Sequence, residues 1–131
     1  MISLIRNSNQ TKQGLDFTSV ENGKIHPTDI DAVLEFDNEV LILMEVKRVD
    51  NEIPIGQRLA LERICDSWHT DKCIVLFLTH NFKEDSIDIP LAECKVQKTY
   101  YKNKWTINKP TPLIDVLNKI GDSWNVSKLK I

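Results

Sequence analysis

The sequence lacks several features that would place the chain in a special structural class. It has no apolar run of about 18 or more residues, so we expect no transmembrane helix. Its three cysteines are odd in number and none belongs to a Cys-x-x-Cys pair, which argues against a disulfide framework and for a reducing compartment. The first residues lack the long apolar region of a signal peptide, so the expected location is cytoplasmic.

Positive charge is not in excess either. The 17 Lys and Arg residues are outnumbered by 19 Asp and Glu residues, and the formal net charge at pH 7 is −2. Contacts to phosphate require Lys and Arg, so the total charge argues against general nucleic-acid binding. A metal site concentrates carboxylates and makes the total more negative, so the distribution of the cations matters more than their sum.

The composition that remains is typical of a soluble globular protein. Of the 131 residues, 41% are hydrophobic and 27% are charged, so we expect a single domain over residues 1–131. Residues 6–14 are polar and show no periodicity, which predicts a flexible tail within residues 1–15.

The strongest pattern lies between residues 27 and 47. Residues 30–36 alternate between apolar and polar side chains, and residues 40–46 are apolar on both faces except at Glu45, which predicts an interior strand. A three-residue loop at 37–39 places apolar residues opposite apolar residues, whereas a two-residue loop would mix apolar and acidic ones. The predicted apolar pairs are Phe36–Val40, Leu34–Ile42, Ala32–Met44, Val33–Leu43 and Ile30–Val46.

The same register brings charged residues together at the end of the hairpin. Asp31 is expected opposite Glu45, and Asp29 opposite Lys47, with Cβ atoms about 4.5–5.5 Å apart. Two carboxylates at that distance repel each other unless a cation or a proton lies between them. Mg²⁺ prefers carboxylate oxygens and is commonly completed by water and substrate phosphate, so the hairpin predicts a site for a hard cation.

These residues resemble the signature of a known family. The pattern Asp31…Glu45-Val46-Lys47 resembles that of the PD-(D/E)xK nuclease superfamily, which includes restriction enzymes, Holliday-junction resolvases and RecB-type nuclease domains. Residues 27–32 look like the first half of the signature, and residues 56–58 look like a glutamine-bearing helix that follows it in several branches. The resemblance covers about residues 27–80 and implies an α/β fold with a restriction-endonuclease-like core, in which helices flank a mixed central β-sheet.

The resemblance also implies roles for individual residues. Asp31 and Glu45 would bind Mg²⁺ or Mn²⁺ with help from the Val46 carbonyl. Lys47 would act on the attacking water, and Gln57 would lie near the site or the DNA backbone. The implied activity is a metal-dependent nuclease acting on DNA rather than RNA, because most of the family cuts DNA.

Two points of the resemblance stay open. Asp29 competes with Asp31 for the role of metal ligand, because some branches place the aspartate at its position. A helix usually precedes the first strand in the family and contributes a glutamate, but Glu21 is the one nearby candidate and its surroundings look more like a strand and turn.

Beyond the hairpin, the pattern predicts a helix from Pro54 or Ile55 to about Trp68. A strand over 72–80 should then run parallel to the interior strand, because a helix connects the two. A hairpin is expected over 93–107, with its turn at Lys102-Asn103. The last predicted element is a helix that starts at Leu113 and stops near Gly121.

Cations near these elements are weak candidates for nucleic-acid contacts. Residues 95–109 hold five lysines and no acidic residue, interleaved with Tyr100, Tyr101 and Trp105. This pattern fits a phosphate-tracking patch with stacking aromatic residues, and it fits slightly better an exposed edge hairpin kept soluble by lysines. The candidate contacts are Arg48, Arg58, Lys98, Lys102 and Lys104.

Other functions compete with the nuclease. A nuclease-like scaffold without activity would serve as a module that binds nucleic acid or protein. For the nuclease itself, the small core suggests that a homodimer or protein partner supplies targeting. The spacing Cys65-x3-His69-x3-Cys73 suggests zinc, but ordinary buried cysteines fit it better, since no fourth ligand is evident.

Overall fold

The computed structural model describes residues 16, 18–20, 27–83 and 88–131. Within them the chain forms a five-stranded mixed sheet with one α-helix packed on each face, which confirms the mixed α/β class. The elements in chain order are β1 (Ala32–Phe36), β2 (Val40–Arg48), α1 (Ile55–Ser67), β3 (Cys73–His80), β4 (Lys95–Tyr101), β5 (Lys104–Pro112) and α2 (Leu113–Trp124). The predicted tail in residues 1–15 and the question of Glu21 lie outside the described residues.

The strands lie side by side in sequence order, from β1 to β5. As predicted, β2 and β3 are parallel, and every other neighbouring pair is antiparallel. Short 3-10 turns occur at Thr18–Val20, Leu91–Glu93 and Ser127–Leu129. No helix in the described ranges is long and apolar enough to cross a membrane.

The hairpin of β1 and β2 has the predicted register over its whole ladder. Four predicted pairs form, from Phe36–Val40 to Ala32–Met44. Asp37 and Asn38 adopt φ angles of 55° and 59°, which these residue types tolerate better than most. The turn is closed by the N–H of Glu39, which donates to the Phe36 carbonyl at 2.9 Å.

The prediction of further pairs beyond Ala32 is wrong. In the described chain the ladder ends at Ala32–Met44, so Ile30–Val46, Asp31–Glu45 and Asp29–Lys47 are not strand pairs. The reason is that the Asp31 carboxylate accepts the N–H of Val46 at 2.8 Å, in place of a main-chain acceptor from β1.

The two faces of β2 enter two different cores, which explains its continuous apolar sequence. Ile42 and Met44 pack with α2, whereas Leu41 and Leu43 pack with α1. Two hydrogen bonds tie α1 to the last strands. The Tyr100 hydroxyl donates to Asp66 at 2.8 Å, and the Trp105 indole N–H donates to Glu62 at 2.8 Å.

The second hairpin turns at Lys102 and Asn103, as predicted, with φ angles of 48° and 65°. Its last strand continues to Pro112, beyond the expected end at residue 107. Proline is tolerated there because β5 is an edge strand, where a missing N–H need not break a ladder bond.

Gly121 does not stop α2, and that prediction is wrong. The helix continues to Trp124 and ends at Asn125, whose φ of 57° is left-handed. Gly121 is required for close packing instead. A Cβ atom at this position would lie 3.0 Å from the Val126 carbonyl oxygen and 3.1 Å from the Leu129 Cβ.

We therefore expect Gly121→Ala to destabilise the fold by about 1–3 kcal/mol, the usual cost of overpacking. Chemical denaturation should measure it. Gly56→Ala is the matched control, because no atom lies within 4 Å of its Cβ position in α1. The control should be neutral, or stabilising by up to about 1 kcal/mol through helix propensity. Equal unfolding free energies for the two variants would contradict the packing role of Gly121.

Candidate metal centre

Glu45 is a buried carboxyl near the end of β2. It is 1% exposed and lies on the sheet face that packs against α1. One carboxylate oxygen, Oε1, is 3.6 Å from the Lys47 Nζ. The other, Oε2, is buried and has no hydrogen-bond partner among the described residues. A buried charged oxygen without a partner is costly, so this position calls for a proton or a cation.

The titration of Glu45 reflects that environment. Burial, followed by the neighbouring Asp31 carboxylate, raises the pKa of Glu45 to about 7, against the smaller opposing effects of Lys47 and Gln57. Near neutral pH the site therefore changes readily between a protonated and an ionised carboxyl. A bound cation would take the place of that proton.

Asp31 provides the second carboxylate. It lies just before β1, and its Oδ2 is held by the N–H of Val46 at 2.8 Å. The strand that carries Glu45 thus also orients Asp31 toward it. Asp31 is exposed whereas Glu45 is buried. The inner carboxylate of the pair is therefore shielded from solvent, and the outer one is accessible.

Gln57 and Asp29 meet beside this pair. The Gln57 side-chain amide in α1 donates to the Asp29 backbone carbonyl at 3.2 Å, and Gln57 also lowers the pKa of Glu45. The effect on Glu45 comes from Asp31 and not from Asp29. The geometry thus favours Asp31 as the carboxylate of the site and gives Asp29 a main-chain contact with α1.

The donor set fits a hard cation that is only partly enclosed. Two carboxylates, one with an unpartnered buried oxygen, are oxygen ligands of the kind that Mg²⁺ takes. No group of three or more His, Cys, Asp and Glu side chains suited to a metal occurs in the described part of the chain. The remaining ligands would therefore be water, a backbone carbonyl such as that of Val46, and substrate oxygens.

Of the candidate cations, Lys98 and Arg58 lie on the same sheet face as Glu45. Lys98 is opposite Phe77 on β3, and Phe77 is opposite Glu45 on β2. The Arg58 Nε is 3.3 Å from the Glu62 Oε2. Both residues line one groove, together with Phe77.

The structure does not bring the other candidate cations to the site. Lys102 and Lys104 lie at the tip of the second hairpin, where Tyr101 pairs with Lys104 at the far end of the strands. Arg48 directly follows Lys47, so it projects from the other side of the sheet, and its guanidinium donates to the Phe82 carbonyl at 3.0 Å. The prediction of phosphate contacts from these three residues has no support in their placement.

Phe77 and Ile107 are the site neighbours that sequence reasoning missed. Ile107 pairs with Lys98 and is 82% exposed, which makes it the most exposed large apolar side chain in the described chain. Each residue looks like an ordinary strand residue, and only the register across β2, β3, β4 and β5 places Phe77 beside Glu45 and Ile107 in the same row.

Cys65 and Cys73 are both buried free cysteines, and the interaction with Cys73 lowers the pKa of Cys65. His69 is exposed, and its ring is tilted against that of Trp68, with centroids 4.6 Å apart.

No family model, curated protein or solved structure matches this chain. Its function is therefore argued from the geometry around Glu45.

Proposed function

We propose that this protein is a metal-dependent nuclease that hydrolyses phosphodiester bonds with a site of the PD-(D/E)xK type. The observation that carries the proposal is the buried, unpartnered Oε2 of Glu45, beside a second carboxylate and a lysine. A purely structural carboxyl would normally have its oxygens satisfied. A site that binds a cation leaves one oxygen available for it.

Each residue has a defined part in the proposed reaction. Asp31 and Glu45 would hold Mg²⁺ or Mn²⁺, which would polarise the phosphodiester and make water more acidic. Lys47 lies beside Glu45, where its ammonium orients the attacking water and stabilises negative charge that develops on the phosphate oxygens. Gln57 fixes the segment that carries Asp31 by binding the carbonyl of Asp29.

The architecture around the site supports a restriction-endonuclease-like core. A hairpin leads into a central strand that ends in Glu-x-Lys, a helix bearing Gln57 follows, and the next strand is parallel to the central one. The resemblance favours DNA over RNA as the substrate. A compact core of this size would rely on a homodimer or a protein partner for targeting.

An inactive nuclease-like scaffold is the second candidate. The observation that favours it is the pKa of Glu45 near 7, because a proton alone then satisfies the buried carboxyl at neutral pH without any metal. Such a protein would bind a nucleic acid or another protein without cleaving it. The two candidates differ in whether Mg²⁺ stabilises the fold.

The decisive assay incubates the purified protein with Mg²⁺ or Mn²⁺ and labelled single-stranded, duplex, nicked and branched DNA, and with RNA. We expect metal-dependent cleavage that falls at least about 10²-fold in Glu45→Ala. Asp115→Ala is the matched control, because it removes an exposed carboxylate from α2 on the opposite sheet face and should keep wild-type cleavage. No cleavage together with no metal-induced stabilisation would support the inactive scaffold.

A further inference from the structure

A row of side chains crosses the sheet from the carboxylate pair to the edge strand. Strand register places Glu45 beside Phe77, Phe77 beside Lys98, and Lys98 beside Ile107. Because neighbouring strands lie about 4.8 Å apart, Lys98 is about 10 Å from Glu45 and Ile107 about 14 Å. The row runs perpendicular to the strands. Phe77 is 3% exposed, so a linear ligand that reaches the carboxylate pair would pass above its ring, beside Lys98, toward Ile107 on β5.

A groove of about 300 Å³ lies over this row, and we call it the Phe77 groove. Its size is at the lower end of the roughly 300–1,000 Å³ typical of small-molecule sites, so it has room for one nucleotide but not for a duplex. The lining residues used below are Glu52, Arg58, Phe77, Lys98, Trp105 and Ile107.

The two cations that line the Phe77 groove outnumber its one carboxylate, Glu52, which suits an anionic ligand. Lys98 forms no ion pair among the described residues, and its Nζ lies 5.8 Å from the centre of the Phe77 ring. Arg58 is held by Glu62, which in turn accepts the indole N–H of Trp105, so one edge of the guanidinium remains for a ligand. Lys95 extends the positive side, because register aligns it with Thr79 and Lys47 in the next row.

The apolar wall of the Phe77 groove suits an unstacked base. Ile107 is 82% exposed. It lies two residues after Trp105 on β5 and opposite Lys98 on β4. In a duplex the base faces are stacked on their neighbours and are not available to such side chains. Proteins that bind single strands combine a basic track with aromatic or apolar surfaces in this way.

We propose that a single-stranded polynucleotide crosses the sheet along this row. Its scissile phosphate lies at Asp31 and Glu45, a neighbouring phosphate contacts Lys98 and Arg58, and one base occupies the Phe77 groove against Trp105 and Ile107. This assignment rests on the proposed nuclease function for the scissile phosphate, whereas the phosphate and base contacts of the groove can be measured without cleavage.

The test measures binding of a fluorescent oligothymidine by anisotropy in EDTA, over a series of salt concentrations. Lys98→Ala should weaken binding about 10-fold and reduce the slope of log K against log salt by about 0.7, the value for one phosphate contact on a single strand. Lys102→Ala is the matched control, because it removes the same charge from the hairpin tip, and it should change affinity less than about 2-fold.

Ile107→Ala provides a second variant whose exposed side chain leaves folding intact. It should weaken binding several-fold without changing the salt slope, because it removes a base contact and no charge. A duplex of the same length should bind more weakly than the single strand. Tighter binding of the duplex, or equal effects of the Lys98 and Lys102 variants, would overturn the assignment.

The binding and cleavage results separate the two proposals. Binding that depends on Lys98 and Ile107, with no metal-dependent cleavage, would retain the Phe77 groove and overturn the nuclease. Cleavage that is lost in Glu45→Ala, with single-strand binding unchanged in the Lys98 and Ile107 variants, would retain the nuclease and overturn the groove.

Discussion

Lys47→Ala is expected to lower metal-dependent cleavage by about 10²–10³-fold while the protein remains folded. Its ammonium lies 3.6 Å from the Glu45 Oε1, and its side chain is 27% exposed, so it faces both the carboxylate and the solvent from which water and substrate arrive. Removal of one positioned group that stabilises developing charge typically costs this much. Single-turnover cleavage with saturating metal measures the effect on the chemical step.

Two variants control this result. Lys72→Ala removes a half-buried lysine just before β3, where it pairs only loosely with Glu39 at 3.9 Å, and should keep wild-type activity. Lys47→Arg keeps the charge but changes its shape, so it should recover only part of the rate. Wild-type cleavage by Lys47→Ala, with an unchanged unfolding transition, would remove Lys47 from the proposed mechanism.

Glu45→Gln is expected to remove a large pH dependence of stability in the metal-free protein. The folded state raises the pKa of Glu45 from its ordinary 4.5 to about 7, so it binds the proton more tightly than the unfolded chain does. The stability contributed by that proton is complete below pH about 4.5 and is lost as the pH rises toward 7. The loss is on the order of 3 kcal/mol, because one pKa unit corresponds to about 1.4 kcal/mol.

Urea denaturation at pH 5 and pH 8 measures this difference. Wild type should lose stability between the two values, whereas Glu45→Gln should lose much less, because the neutral amide keeps no charge to bury. Glu39→Gln, a change at an exposed glutamate immediately before β2, should follow wild type. Parallel pH profiles for wild type and Glu45→Gln would show that Glu45 titrates normally.

The same variant tests metal binding. At pH 8, Mg²⁺ at about 100 times its dissociation constant should stabilise wild type by about 2.7 kcal/mol, since only the folded state has the site. Glu45→Gln should show little of this gain. Stabilisation by Mg²⁺ that is equal in both proteins would place the cation elsewhere.

Much of the fold was predictable because its main signals are local. The alternation before Phe36 and the continuous apolar run from Val40 depend on the two-residue period of a strand, and so does the register of their hairpin. The helix after Pro54 and the parallel direction of β3 follow from the length of the connection. These features require no knowledge of distant residues.

The errors occurred where contacts between distant segments decide the structure. Gly121 looks like a helix stop, but its missing Cβ makes room for Leu129 after the chain has turned back. The β1 ladder ends early because the side chain of Asp31 takes a main-chain donor of β2. The last strand continues past residue 107 to Pro112 because it lies at the edge of the sheet, where proline is tolerated.

The order of residues along the chain is enough to predict that Asp31, Glu45 and Lys47 come together near the end of a buried strand, because one short hairpin connects them. The tertiary structure is needed to show that Glu45 keeps an unpartnered buried oxygen, that Asp31 and not Asp29 acts on it, and that Lys98 lies in the row while Lys102 does not. Those outcomes depend on which strands become neighbours and in what register. The pattern of residues within one strand does not contain that information.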